Sequence, residues 1–315
     1  MNYFNINRQY ESQFSSPKIV REGFQVHAFL LGAPKCGTTW LSNALEQHPG
    51  LCVSDPKEPN EIASHKGTMV RDDKDPNLSK YQKFFKGRGK KIDCSVHAFA
   101  CPKAPERIKE NWPDAKFIIC VREPVSRTIS HWKMIRETEE DINSGADWSV
   151  FEKAWQDSRL RQDSLYGECF QNWISKFSRS SFLIIDANNM REDPVKCMKL
   201  VCQHLEIESY EFDFEAISNS NKATDRKKPT NFSRRLMNIS SKVPNFLKLP
   251  IVFPLKLLGI NIYNSKALTS NPQIAHIDFD IAKDVISKVT TDDIDYSNLC
   301  LAIHMSTGAD IIPHF

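Results

Sequence analysis

Ala28-Phe29-Leu30-Leu31-Gly32-Ala33-Pro34-Lys35-Cys36-Gly37-Thr38-Thr39-Trp40-Leu41 passes from an apolar run through a glycine-bounded turn into a helical pattern. The apolar run Ala28 to Leu31 reads as a buried strand, and it enters a turn bounded by Gly32 and Gly37. Trp40, Leu41, Ala44, Leu45 and His48 then recur at helical spacing until Pro49-Gly50 stops the run. A strand that feeds a glycine-bounded loop and then a helix is suited to anions. Backbone N–H groups and the helix N-terminus surround the charge, and Thr38 and Thr39 add hydroxyl donors. The nucleoside-triphosphate version of such a loop needs lysine directly after the second glycine, followed by a Ser or Thr for magnesium. Here Thr38 takes the lysine position and the lysine sits at the loop apex, at Lys35. The site is therefore built for an oxyanion other than a magnesium-bound triphosphate.

Working outward, Phe117 to Val121 and Phe182 to Ile185 are further short apolar runs, each followed by turn or charged residues and a helical pattern. This βαβ rhythm predicts a single α/β domain with a central parallel sheet flanked by helices. Pro124 suits the first turn of a helix carrying Val125, Ile129 and Trp132 on its inner face, and Pro194 opens another that reaches Leu205. Trp148 to Phe177 is rich in helical pattern. Residues 1–24 read as an N-terminal extension and 25–315 as the domain. Between Asn219 and Arg235 the chain is polar and basic, which reads as a long loop of the kind that often carries function.

Composition narrows the function classes. With 42 Lys+Arg against 39 Asp+Glu the formal net charge is +3, too balanced for a protein that coats nucleic acid. The nine cysteines contain no Cys-x-x-Cys pair in a chain of 315 residues, which points to free thiols in a reducing, cytoplasmic setting. The first 24 residues lack the apolar core of a signal peptide. The stretch Leu249 to Ile260, interrupted by Pro250, Pro254 and Lys256, is too short for the roughly 20 residues of a membrane span.

Two motifs then carry a family resemblance. Pro34-Lys35-Cys36-Gly37-Thr38-Thr39-Trp40 resembles the 5′-phosphosulfate loop of sulfotransferases that use 3′-phosphoadenosine 5′-phosphosulfate (PAPS). Arg122-Glu123-Pro124, with Ser130 eight residues after the arginine, resembles the family's 3′-phosphate motif. Tyr81-x-x-Phe84-Phe85 before Asp93-Cys94-Ser95 is similar to the bacterial and heparan-type branch, and the last 60 residues match only loosely. The resemblance implies a P-loop-like sulfotransferase fold and a metal-independent transfer of a sulfuryl group from PAPS. It also implies that Lys35, Cys36, Gly37, Thr38, Thr39, Trp40, Arg122 and Ser130 hold the nucleotide, with Lys35 against the leaving phosphate. Trp40 either stacks on adenine or belongs to the apolar stripe of its helix. Arg127 either contacts phosphate or pairs with Glu123 four residues earlier.

An attacking hydroxyl needs a general base within hydrogen-bond reach. Glu58, in Lys57-Glu58-Pro59, resembles the catalytic glutamate of the heparan-type and bacterial branch. His97 lies near the histidine position of the cytosolic branch, although Ser95 stands where that branch has lysine. Both stay open at this point. Lys227 and Lys228, in the basic loop, either close over the nucleotide or form a solvated charge run. The expected acceptor is a small molecule such as a specialised metabolite, sulfated on a hydroxyl or on an amine or guanidine nitrogen. The alternatives are a carbohydrate acceptor or a P-loop nucleotide kinase. Acceptor specificity is expected in the insertion-like segments Lys66 to Lys80 and Asp141 to Ser164. No nucleic acid or metal is expected, and a homodimer is left open.

Overall fold

The computed structural model of the protein describes residues 23–71, 76, 78–219, 228–229, 269–270 and 275–289. Its frame is a five-stranded parallel sheet in the order β2-β3-β1-β4-β5. The strands are β1 (Ala28–Gly32), β2 (Leu51–Val53), β3 (Lys90–Asp93), β4 (Lys116–Val121) and β5 (Phe182–Asp186). β1 and β5 are buried at every position and β4 at all but its first, as continuous apolar runs require when helices cover both faces. Phe29, Phe117 and Phe182 share one register row across β1, β4 and β5, with neighbouring ring centroids 6.0 and 4.9 Å apart.

The helices are α1 (Thr38–Glu46), α2 (Ala104–Asn111), α3 (Pro124–Thr138), α4 (Glu140–Asn143), α5 (Phe151–Gln156) and α6 (Ser158–Gln162), followed by α7 (Tyr166–Ile174), α8 (Ala187–Glu192), α9 (Pro194–Leu205), α10 (Phe214–Asn219) and α11 (Phe279–Val289). Two short strands, β6 (Lys228–Pro229) and β7 (Thr269–Ser270), pair antiparallel. The parallel order places β1 between β3 and β4, so the loop after β1 lies at the topological switch point. Ligands of open α/β sheets bind there, beyond the carboxyl ends of the strands.

The stretch from Asp141 to Ser164, read from the sequence as insertion-like, is packed against α3. Trp148, Phe151, Trp155 and Leu160 are buried against Val125, Trp132 and Ile135 of α3, in an apolar cluster separate from the one around the sheet. Apolar side chains recurring along α5 and α6 thus make a packed layer rather than a loose rim. Ala282 and Ile286 of α11 complete that layer. Of Lys66 to Lys80, residues 72–75 and 77 lie outside the described set.

Candidate active site

The loop after β1 is shaped by two backbone constraints. Gly32 has φ +100, and a Cβ there would lie 2.6 Å from the carbonyl oxygen of Val96, so glycine lets the loop pass the 3-10 turn Val96–Ala98. Lys35 has φ 72, which costs an L-residue about 1 kcal/mol, and Gly37 follows at φ 80. Together they raise Lys35 at the apex, with Nζ 3.7 Å from Met134 Sδ. α1 opens at Gly37 without a side-chain cap and with no acid in its first turn. By contrast α3, α8 and α9 are capped by the carboxylates of Glu123, Asp186 and Asp193. The positive end of the α1 dipole therefore meets no protein carboxylate from its own first turn, which suits an external anion.

The loop residues divide by exposure. Thr39 is exposed, whereas Thr38 is buried and its Oγ1 accepts from Lys57 Nζ at 3.5 Å. Cys36 is fully buried, with Sγ 3.6 Å from Tyr166 Oη, and burial pushes its thiol up to about 11. It supports the loop from beneath, and its side chain does not face the cleft. Trp40 is half-buried and stacks on Phe214 of α10, centroids 5.7 Å apart at 13°. One face of the indole is thus already covered.

A cleft of about 430 Å³ brings Lys35 together with Arg122, at the end of β4, and Ser130, on α3. Ser126, Ile129 and Lys133 of α3 border the same space, and Ile277 and Phe279 close it from the side of α11. Ile129, expected on the inner face of its helix, is half-buried and lines this cleft. Tyr166 Oη donates to the carbonyl of Arg122 at 3.1 Å, tying the end of β4 to the underside of the loop. Lys227 lies outside the described residues, and of Lys228 only the backbone in β6 is described.

Arg127 does neither of the things its sequence position suggests. Glu123 is engaged as the cap of α3, accepting from Val125 N at 2.9 Å and Ser126 N at 2.7 Å. Arg127 itself is completely buried, so its guanidinium does not reach the cleft surface. It donates to His131 Nδ1 at 2.9 Å, to the Pro34 carbonyl at 3.5 Å and to Ser164 Oγ. His131 Nε2 meets Thr68 Oγ1 at 2.7 Å, and Asp163 receives Arg71 at 3.0 Å. Burial, then Arg127, holds His131 well below the usual histidine range. Burial alone would raise Asp163, but Arg71 foremost, then His131, His97 and Arg127, hold it down to about 2. This buried network links the loop after β1 to the segment around Thr68 and Arg71.

Glu58 and His97 reach the region from different elements. Ser54 Oγ donates to the Lys57 carbonyl at 2.7 Å, and Asn60 N donates to Ser95 Oγ at 2.9 Å. These bonds pin the Glu58 turn to the end of β3. Glu58 is partly exposed and pairs with Lys57 at 2.6 Å, and Lys57 also reaches Thr38. His97 is buried, its Nδ1 has no hydrogen-bond partner among the described residues, and burial lowers its basicity against the opposing charges of Asp163 and Glu58. Lys57, Ser126, Lys133, His131 and Asp163 were not singled out by the sequence. Of these only Lys133 carried a usable signal, standing three residues after Ser130 on one helix face.

A parallel α/β sheet with an uncapped helix behind a lysine-bearing loop at its switch point defines an oxyanion-binding enzyme scaffold. The chain belongs to the sulfotransferase family: the sulfotransferase domain model matches residues 25–246. Heparan sulfate glucosamine 3-O-sulfotransferase 5 of Mus musculus is 27% identical over 189 residues, covering 57% of this chain and 53% of the relative. Bifunctional heparan sulfate N-deacetylase/N-sulfotransferase 4 of Mus musculus is 25% identical over 192 residues, 56% of this chain and 22% of the relative. The chain thus spans about half the length, or less, of these curated relatives. Among solved structures, a sulfotransferase from Alicyclobacillus acidocaldarius is 20% identical with a TM-score of 0.48, covering 76% of this chain and 98% of that one.

Proposed function

We propose that this protein transfers a sulfuryl group from PAPS to a hydroxyl, or to an amine or guanidine nitrogen, of an acceptor. The observation that carries this reading is the convergence of Lys35, Arg122 and Ser130, from three separate elements, on one cleft beside an uncapped helix N-terminus. The residues present fit such a donor: an uncapped N-terminus for one anionic group, and an arginine fork with a serine hydroxyl for a second. When bound, the donor supplies an electrophilic sulfuryl group on a phosphate that leaves.

The chain's own groups then have defined tasks. Lys35 stabilises negative charge developing at the loop apex, an interaction that counts toward rate because it grows toward the transition state. Arg122 and Ser130 fix the second phosphate and so the register of the donor. Glu58 takes the proton of the acceptor hydroxyl: it is partly exposed, and Lys57 ties it to Thr38 of the loop. His97, buried and neutral, is the second candidate for that proton. The Lys57–Glu58 ion pair at 2.6 Å, with Lys57 also on Thr38 Oγ1, orients the carboxylate toward the loop.

The first acceptor class is a small molecule. A carbohydrate hydroxyl or amine is the second reading, favoured by relatives named for action on heparan sulfate glucosamine. The eight free cysteines among the described residues support a reducing compartment such as the cytoplasm. Also among the described residues, no helix is long and apolar enough to cross a membrane. Thermal stabilisation against a nucleotide panel tests the donor. Adenosine 3′,5′-bisphosphate should raise Tm without a divalent ion, and stabilisation only by ATP with magnesium would replace this reading with a kinase. Transfer of labelled sulfate to metabolite and oligosaccharide panels then separates the two acceptor classes.

A further inference from the structure

Ser126, Ser130, Lys133 and Glu137 lie at i, i+4, i+7 and i+11 along α3, and all four border the cleft that holds Lys35 and Arg122. That spacing is a single helix face. Only Ser130 of the four belongs to the sequence motif read above. Lys133 stands one turn beyond it, half-exposed, and lines the same cleft as Arg122. Ile277, half-buried, and Phe279, exposed, line the same cleft from the side of α11.

We propose that Lys133 is a third phosphate-binding cation of this cleft, acting with Arg122 and Ser130 on the donor's second phosphate and setting the preference for a bisphosphorylated nucleotide. This rests on the nucleotide reading given above. Arg122 supplies a planar fork and Lys133 a compact charge, so one phosphate can be met from two sides without the two side chains competing for the same oxygens.

The test is calorimetric titration of wild type, Lys133→Met and Lys133→Arg with adenosine 3′,5′-bisphosphate and with adenosine 5′-monophosphate. Lys133→Met should bind the bisphosphate about tenfold more weakly, as expected for loss of a charge-assisted contact. Its affinity for the monophosphate should stay unchanged, and Lys133→Arg should recover most of the loss. Equal weakening toward both nucleotides, or none toward the bisphosphate, overturns the assignment. A wild type that binds neither nucleotide overturns the donor reading itself, an outcome distinct from the selective failure of Lys133.

Discussion

Lys35 is a residue whose backbone pays for its position: a left-handed φ at the loop apex is tolerated because it aims the ammonium across the cleft toward Met134 and α3. The side chain itself adds little to packing. Lys35→Met should therefore lower kcat by at least about 100-fold while leaving Tm nearly unchanged, measured by initial rates and calorimetry. Turnover close to wild type would remove Lys35 from the chemistry. Glu58 and His97 are separable by pH. The acidic limb of kcat reports protonation of the base, so Glu58→Gln should erase that limb and His97→Asn should leave it in place. The reverse pattern would move the base to His97. At this scale the sequence was legible in that Lys35, Arg122 and Ser130, picked out by motif spacing, line one cleft. It was illegible for Arg127. Four residues after a glutamate, a surface ion pair is the ordinary reading, and only the third dimension shows that Glu123 is turned to the helix cap.

Among the elements, the strands β1, β4 and β5 could be read directly because both faces are buried and the runs are uninterrupted. β2 has only three residues and β3 begins with Lys90-Lys91, so neither presents an apolar run, and their pairing depends on the neighbouring strands. The network of Arg127, His131, Asp163 and Arg71 was hidden for a related reason: its members come from α3, the segment before residue 72 and the end of α6. Its energetics are those of a buried charge cluster. Arg127→Met would remove the guanidinium donor of the Pro34 carbonyl, His131 and Ser164, and should cost about 1–3 kcal/mol in denaturant unfolding. A loss below about 1 kcal/mol would show that the network is not coupled to the fold.

His131 gives that network a pH dependence whose sign is fixed. In the folded protein it is held neutral, its affinity for protons lowered by burial and Arg127, whereas in the unfolded chain it titrates near its usual value of 6.5. Below that value the unfolded state binds the proton and the native state does not. Stability attributable to His131 is present above pH 6.5 and is lost as pH falls, by up to about 1.4 kcal/mol per pH unit. His131→Gln, which keeps a polar group between Arg127 and Thr68, should reduce the slope of the stability profile between pH 6.5 and 5 by up to about 1.4 kcal/mol per pH unit. The rest of the slope comes from His27, His65, His97 and His204, which burial also lowers. An unchanged slope would assign acid lability to other groups.

For the whole molecule, the notable fact is that one wall of the cleft comes from beyond the segment matched by the family, which ends at residue 246. Ile277 and Phe279 reach the cleft of Lys35 and Arg122 because α11 is seated by Ala282 and Ile286 on the apolar layer of α3 and α5, not on the sheet. The two apolar clusters are separate, so damage to the seat of α11 need not loosen the sheet or the loop after β1. Ile286→Ala deletes a side chain that is 3% exposed and should cost about 2–4 kcal/mol where α11 docks. Local loosening should appear as faster amide exchange in 279–289, with β1 and β4 still protected. If α11 walls the nucleotide cleft, the same variant should weaken binding of adenosine 3′,5′-bisphosphate several-fold although it touches no ligand, because the residues that line the cleft from the side of α11 become mobile. Loosened exchange with undiminished affinity would instead make α11 a structural strap with no part in holding the donor.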